Sequence, residues 1–404
     1  MTDNHLIKKC KEYLKTLCVD ISERCVGSNG NRQATYFFEK ELLLRDWETE
    51  MVEFEAIDWV ENGATLKSDE ENFNVLVSPY SLGFRGEGEL ISASTIEELS
   101  KIDAMNKIIF LFGEIAREQL MPKNFVFYNP EEHQKIISIL ENSGAKAIVS
   151  ATGRNVALAG GVYPFPLIED GDFDIPSVYM TEEEGLKLIP KIGKIVFLDS
   201  LSKRIPGRGY NVIGKKGNNN SLKIVVTAHI DAKKGTPGAI DNATGVIVLL
   251  LLSDLLKDYN GNRLIEIIAF NGEDYYAVPG QINYISTNKN NFNKILLNIN
   301  IDGAGYKEGL SAFSLFNLPD EILQVTKNVI NQYSGITEGI QWLQGDHSIF
   351  LQFGVPAIAV SSKWFIDNIG DQDITHTRKD NIEIVDCNKI VEISQALNTL
   401  IRSI

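Results

Sequence analysis

Apolar residues recur at helical spacing, with charged faces between them, over residues 5–19 and 33–46. Near residue 74 the texture changes. Short apolar runs at 74–77, 107–112 and 147–150 read as strands, and 130–143, closed by Gly144, reads as a helix. The stretch 174–180 is a further strand. Thr181 then stands as N-cap before the Glu182, Glu183 and Glu184 triplet of a helix reaching Leu188. Pro190 interrupts, and 194–198 is extended again. From about 208 the alternation becomes regular, with strands expected at 222–229, 263–270, 294–301, 310–316 and 356–360 and helices at 242–257, 279–286 and 388–403. Such alternation predicts an α/β fold whose sheet is mixed but mostly parallel, with helices on both faces. Ligands in these sheets collect beyond the carboxyl ends of the strands.

At 404 residues the chain exceeds what one core usually supports, so two domains are expected. The formal net charge of -15 argues against nucleic acid or an anionic membrane as partner, since neither gains by counterion release from an acidic surface. The longest apolar run, Val246 to Leu252, is too short to span a bilayer. No stretch near Met1 has the length of a signal peptide, and four scattered cysteines make neither a disulfide framework nor a Cys-rich zinc site. The expectation from these features is cytoplasmic residence. Nothing in the sequence specifies an oligomeric state.

Acids and histidines fall at successive strand ends. His229 and Asp231 lie two apart, on one side of a strand terminus, with Asp231 available to accept from the second imidazole nitrogen. Asp241 precedes a helix start, where Asn242 or Thr244 can cap and the dipole favours negative charge. Glu273 and Asp274 close the next strand pointing opposite ways, so one can bind metal while the other accepts a proton. Asp302 ends the following strand before Gly303, and His376 lies in a loop ahead of the last helix. A carboxylate shared by two N/O-rich sites suits a pair of Zn2+ ions, with Co2+ or Mn2+ as substitutes.

These motifs, in this order over about 205–404, resemble the co-catalytic zinc exopeptidases that include bacterial leucyl aminopeptidases, glutamate carboxypeptidase and the glutaminyl cyclases. The resemblance implies the zinc exopeptidase fold and two Zn2+ per chain. His229 and Asp302 would bind one, Asp274 and His376 the other, and Asp241 would bridge them. It further implies that Glu273 is the general base, that the Asp241–Asn242 peptide is cis, and that Asp346 and His347 line or brace the substrate side. Residues 75–200 resemble a protease-associated domain inserted into a catalytic domain made of 1–74 and 201–404, on the cues 107–111, 144–149 and 175–178.

The chain departs from the family at two places. Asp274 stands where a Glu is common, and Thr375 where a Tyr commonly stabilises the oxyanion; Tyr306 or His347 is the candidate substitute. The expected activity is aminopeptidase action on peptides, with Glu273 and Asp231 as catalytic residues. The alternatives are a carboxypeptidase or dipeptidase, using Arg208 or Arg378 for a substrate carboxylate, and a non-catalytic peptide-binding relative with a decayed metal site. Glutaminyl cyclisation fits less well, because those enzymes use one zinc and both ligand sets are kept here.

Overall fold

A computed structural model describes residues 2–21, 23–125, 129–154, 161–218, 222–274 and 278–404. The chain forms two compact units, Met1–Ala56 with Arg208–Ile404, and Ile57–Gly207.

In the first unit four parallel strands carry the chemistry. They stand side by side in the order Ala357–Ser362, Ile295–Ile301, Lys223–His229 and Leu264–Phe270. Ser311–Phe316 adds antiparallel beyond the first of these, and residues 212–217 add antiparallel beyond the last. The sheet is therefore mixed and mostly parallel, as the alternation predicts. Lys223–His229 comes first in the chain, yet it lies between the second and third parallel strands. The winding direction reverses at its carboxyl end, which is where such sheets open a crevice.

The helix after this strand, Thr244–Leu255, is apolar on every side, and Val246 through Leu252 are all fully buried. A helix of that kind belongs in a core. The N-terminal helix Asp3–Lys15 and the C-terminal helix Cys387–Ser403 pack against it. Each buried aliphatic side chain contributes roughly 1.5–3 kcal/mol, so this layer fixes the base of the sheet on which the strand ends sit.

The second unit has its own sheet, with Phe84–Ala93, Ile108–Leu111, Ala147–Thr152 and Ser177–Thr181 parallel in that order. Its faces follow the two-residue period of a strand. Ile109 and Leu111 join the cluster with Ile136 and Leu140, while Ile108 and Phe110 join the one with Val149 and Val178. Thr181 caps its helix as expected, its Oγ1 accepting from the Glu184 N–H at 3.2 Å.

Two long strands escaped the pattern analysis. Glu48–Ser68 alternates charged with apolar residues but leaves much of both faces exposed, and Ile195–Gly217 extends far beyond 194–198. The chain crosses between the two units within them. The helix Asp320–Gln332 and the short strand Ile336–Gly339 were also unmarked. Among the described residues no helix is long and apolar enough to cross a membrane.

Candidate metal centre

The three strand ends at the reversal point deliver the first donors. His229 is the last residue of its strand and 1% exposed. Asp302 follows the strand Ile295–Ile301. Glu273 and Asp274 sit in a turn after Asn271 and Gly272, not in the strand itself. Asp241 lies on the loop before the buried helix, where the Asp241–Asn242 peptide is cis. His376 occupies a left-handed backbone position with φ 63°.

Asp241 stands between the two histidines. Its Oδ1 is 3.1 Å from His229 Nε2 and its Oδ2 is 3.1 Å from His376 Nε2. Asp302 Oδ1 lies 3.6 Å from His229 Nε2, and Asp274 Oδ1 lies 3.0 Å from His376 Nε2. Glu273 Oε2 approaches His229 Nε2 at 3.9 Å. The turn thus sends its two carboxylates toward different imidazoles.

Several supports hold this arrangement. Asn242 Nδ2 donates to Ile301 O at 2.8 Å, tying the Asp241 loop to the strand before Asp302, and its Oδ1 accepts the Gly245 N–H at 3.0 Å. A Cβ at Gly245 would lie 2.6 Å from Ile301 O, so only glycine permits that approach. Asp380, which the sequence analysis passed over, is fully buried and accepts the Ile240 and Asp241 N–H groups at 2.6 and 3.0 Å.

Three further expected site residues have these surroundings. His229 Nδ1 meets the Asp231 main-chain oxygen at 3.2 Å, and the Asp231 carboxylate stands beside the same nitrogen with its Oδ1 at 3.7 Å. The carboxylate accepts the N–H groups of Gly272, Glu273 and Asp274 at 2.7, 3.3 and 3.0 Å, which makes it the brace of the turn. His347 is fully buried, donates from Nε2 to Trp342 O at 2.8 Å and packs on Trp342 and Phe316. Its donor is spent on that loop, and burial pushes its pKa down to about 4. Tyr306 packs its ring among Trp364, Phe365, Ile240 and Ile374. Asp346 remains a candidate for the substrate side. It is 2% exposed, takes one bond from Gln281 Nε2 at 2.8 Å, and its Oδ2 has no partner.

The electrostatics are those of a site short of cations. Burial pushes the Glu273 carboxyl well above its usual range, and Asp302, Asp274 and Asp346 push the same way against His229. Burial also raises Asp302. Burial disfavours imidazolium at His229 and His376, but the surrounding carboxylates overcome this and raise both well above the ordinary value. Burial alone would raise Asp241; the two imidazoles reverse it and hold the acid low. Among the described residues no Lys or Arg forms an ion pair with these acids.

Metal ions fit this donor set. His229 Nε2 and Asp274 Oδ2 are buried without a hydrogen-bond partner, and donor atoms of His229, Asp241 and Asp274 lie within 4.8 Å of one another. Nitrogen and carboxylate oxygen are the ligands that suit zinc. A pH dependence follows for the metal-free protein. Groups whose pKa is raised by folding stabilise the fold below their unfolded value and lose that contribution as pH rises through the folded value. The chelated protein should therefore melt lower at about pH 8.5 than at about 6.5, the unfolded histidine value. The stabilisation conferred by added zinc should grow over the same interval, as protons cease to compete. Thermal melting with chelator and with zinc checks both; a chelated protein that melts higher at the alkaline end would contradict the charge balance described.

An α/β sheet whose reversal point sets one carboxylate between two imidazoles has the donors to hold a pair of metal ions. Residues 211–401 match the model of Peptidase family M28. Aminopeptidase YwaD of Bacillus subtilis (strain 168) is 26% identical over 170 residues, which span 41% of this chain and 35% of that protein. The aligned part is thus about a third of the relative's length. Among solved structures, an aminopeptidase from Aneurinibacillus sp. strain AM-1 superposes with TM-score 0.76 at 18% identity, over 99% of this chain and 95% of that one. The zinc aminopeptidase BSAP from Bacillus subtilis gives 0.73 at 19%, over 98% and 94%. At such identities these structures share the fold.

Proposed function

We propose that the protein is a zinc-dependent aminopeptidase that removes N-terminal residues from peptides. The placement of Asp241, with one oxygen on each of two histidines, carries this reading. Two Zn2+ ions, one held by His229, Asp302 and Asp241 and the other by His376, Asp274 and Asp241, would supply Lewis acidity at the scissile carbonyl and acidify the attacking water.

Glu273 takes the proton of the attacking water and returns it to the leaving amide nitrogen. Asp231 holds the Glu273 main chain in place and works as a positioning residue, not as one that touches substrate. The surplus of carboxylates favours a substrate that brings a positive charge, as a free N-terminal amine does, and Asp346 Oδ2 is an unpartnered acceptor for it. A substrate carboxylate finds less here. Arg208 is exposed and engaged with Glu53, and Arg378 is exposed on the loop after His376. The carboxypeptidase alternative is weaker for that reason.

The reading extends to the rest of the chain. Residues 75–200 act as a protease-associated-like domain, and four scattered cysteines, too few for a disulfide framework, suit a reducing, cytoplasmic setting. Metal analysis and a panel of aminoacyl-anilides beside N-acetylated counterparts test the proposal. About two zinc ions per chain and chelator-sensitive release from the free-amine substrates alone are expected. Equal release from blocked substrates would overturn the aminopeptidase assignment, and no bound zinc after supplementation would overturn the metal centre.

A further inference from the structure

Arg24 lies far from the M28-matching stretch in sequence, yet its guanidinium is 2% exposed and is spent on the loops of the metal centre. Its Nε donates to Ile230 O at 3.0 Å, the carbonyl between His229 and Asp231. Its Nη1 donates to Pro237 O at 2.8 Å and to Leu17 O at 2.6 Å, and its Nη2 to Gly238 O at 2.7 Å. Gly238 has φ 57°, and a Cβ there would lie 2.8 Å from Arg24 Nη2, so the turn is shaped to admit the guanidinium. All these acceptors are main-chain carbonyls. Among the described residues no ion pair involves Arg24, although it does lower the proton affinity of Asp380.

The loop bearing Asp241 is consequently gripped from two sides. Arg24 takes the carbonyls of Pro237 and Gly238, while Asp380 takes the N–H groups of Ile240 and Asp241. The same guanidinium ties that loop to the end of the His229 strand. Arg24 is itself fixed by Asn31, whose Nδ2 donates to Arg24 O at 2.9 Å and to Asn271 Oδ1 at 2.8 Å. Asn271 returns a bond from its Nδ2 to Asn31 Oδ1 at 2.9 Å, and it is the residue before Gly272 and the Glu273–Asp274 turn. One N-terminal segment thus reaches both loops that deliver bridging and terminal carboxylates.

We infer that Arg24 is a positioning residue for the di-metal site: it fixes Asp241 relative to His229 so that one carboxylate serves two ions. The inference rests on the metal-centre reading above. A planar fork reaching several carbonyls in fixed directions is what arginine supplies and lysine does not. Outer-shell partners of this kind typically carry ~10–100-fold of metal affinity.

The test is zinc titration of the full chain against a chromophoric chelator, for the parent, Arg24→Lys and Arg24→Gln, with zinc-free melting and kcat and KM measured alongside. In the variants, the weaker of the two zinc affinities is expected to fall ~10–100-fold. kcat should fall at limiting zinc and recover in excess zinc, while KM changes little. Arg24→Lys keeps the buried charge and decides the matter if Arg24→Gln fails to fold. Variants that bind both ions as tightly as the parent, whatever their melting temperature, would overturn the inference and leave Arg24 a structural residue. A parent that binds no zinc would overturn the metal-centre reading instead.

Discussion

Replacing Glu273 by Gln is expected to lower kcat by ~10²–10⁴-fold, the usual share of a positioned acid–base group, with zinc content held near two ions per chain. The amide keeps the size and the Asp231-braced backbone of the native residue, so the turn should stay formed. It cannot accept a proton. Glu273 is also the site carboxylate that lies farthest from its histidine, 3.9 Å against 3.0 to 3.6 Å for the others, so metal binding leans on it least. KM should therefore change little, because the binding groups remain. Steady-state kinetics with elemental analysis on the same preparation separates the outcomes. Unchanged kcat would remove Glu273 from the mechanism, and loss of zinc would make it a ligand.

The second large effect belongs to Asp241. Asp241→Asn retains one carbonyl oxygen and loses the second acceptor, so the bridge between His229 and His376 cannot be remade. At most one zinc per chain should stay tightly bound. The loss of activity should exceed the ~10–100-fold typical of an outer-shell change and should not recover in excess metal. That last point distinguishes it from the Arg24 variants, in which the ligands are all present but loosely held. Retention of two tight ions by Asp241→Asn would refute the bridging role. The Asp380 contacts to the Ile240 and Asp241 main chain do not depend on the Asp241 side chain, so the loop should survive the substitution.

The two departures from the family pattern fare differently. Asp274, though one methylene shorter than glutamate, reaches 3.0 Å from His376 Nε2, and its N–H donates to the Asp231 carboxylate at 3.0 Å. Thr375 has its hydroxyl beside Gln372 Nε2 and its N–H on Gln372 Oε1. Of the expected substitutes for a tyrosine there, His347 spends its Nε2 on Trp342 O, while Tyr306 packs its ring in an aromatic cluster.

How much of this was legible in the chain varies by residue. The helix Thr244–Leu255 declared itself because no face of it is polar, and the four central strands because their apolar runs stop at turn residues. The donors could be read from their places at those ends. The strand Glu48–Ser68 could not, since Glu, Asp and Lys on both faces hide the two-residue period. Asp380 looked like one more charge in a Lys- and Arg-flanked loop, yet it is fully buried. Arg24 gave no sign at all.

The sequence by itself determined the kinds of donor and their order at the ends of one sheet, because strand periodicity and the α/β alternation are local properties. Only the tertiary structure decided which oxygen faces which imidazole, that the Asp231 carboxylate braces the Glu273–Asp274 turn, and that an N-terminal arginine grips the bridging loop. Most of those are contacts between residues far apart in the chain, up to 214 positions for Arg24 and Gly238, set by how the loops close over the strand ends. No local pattern encodes them.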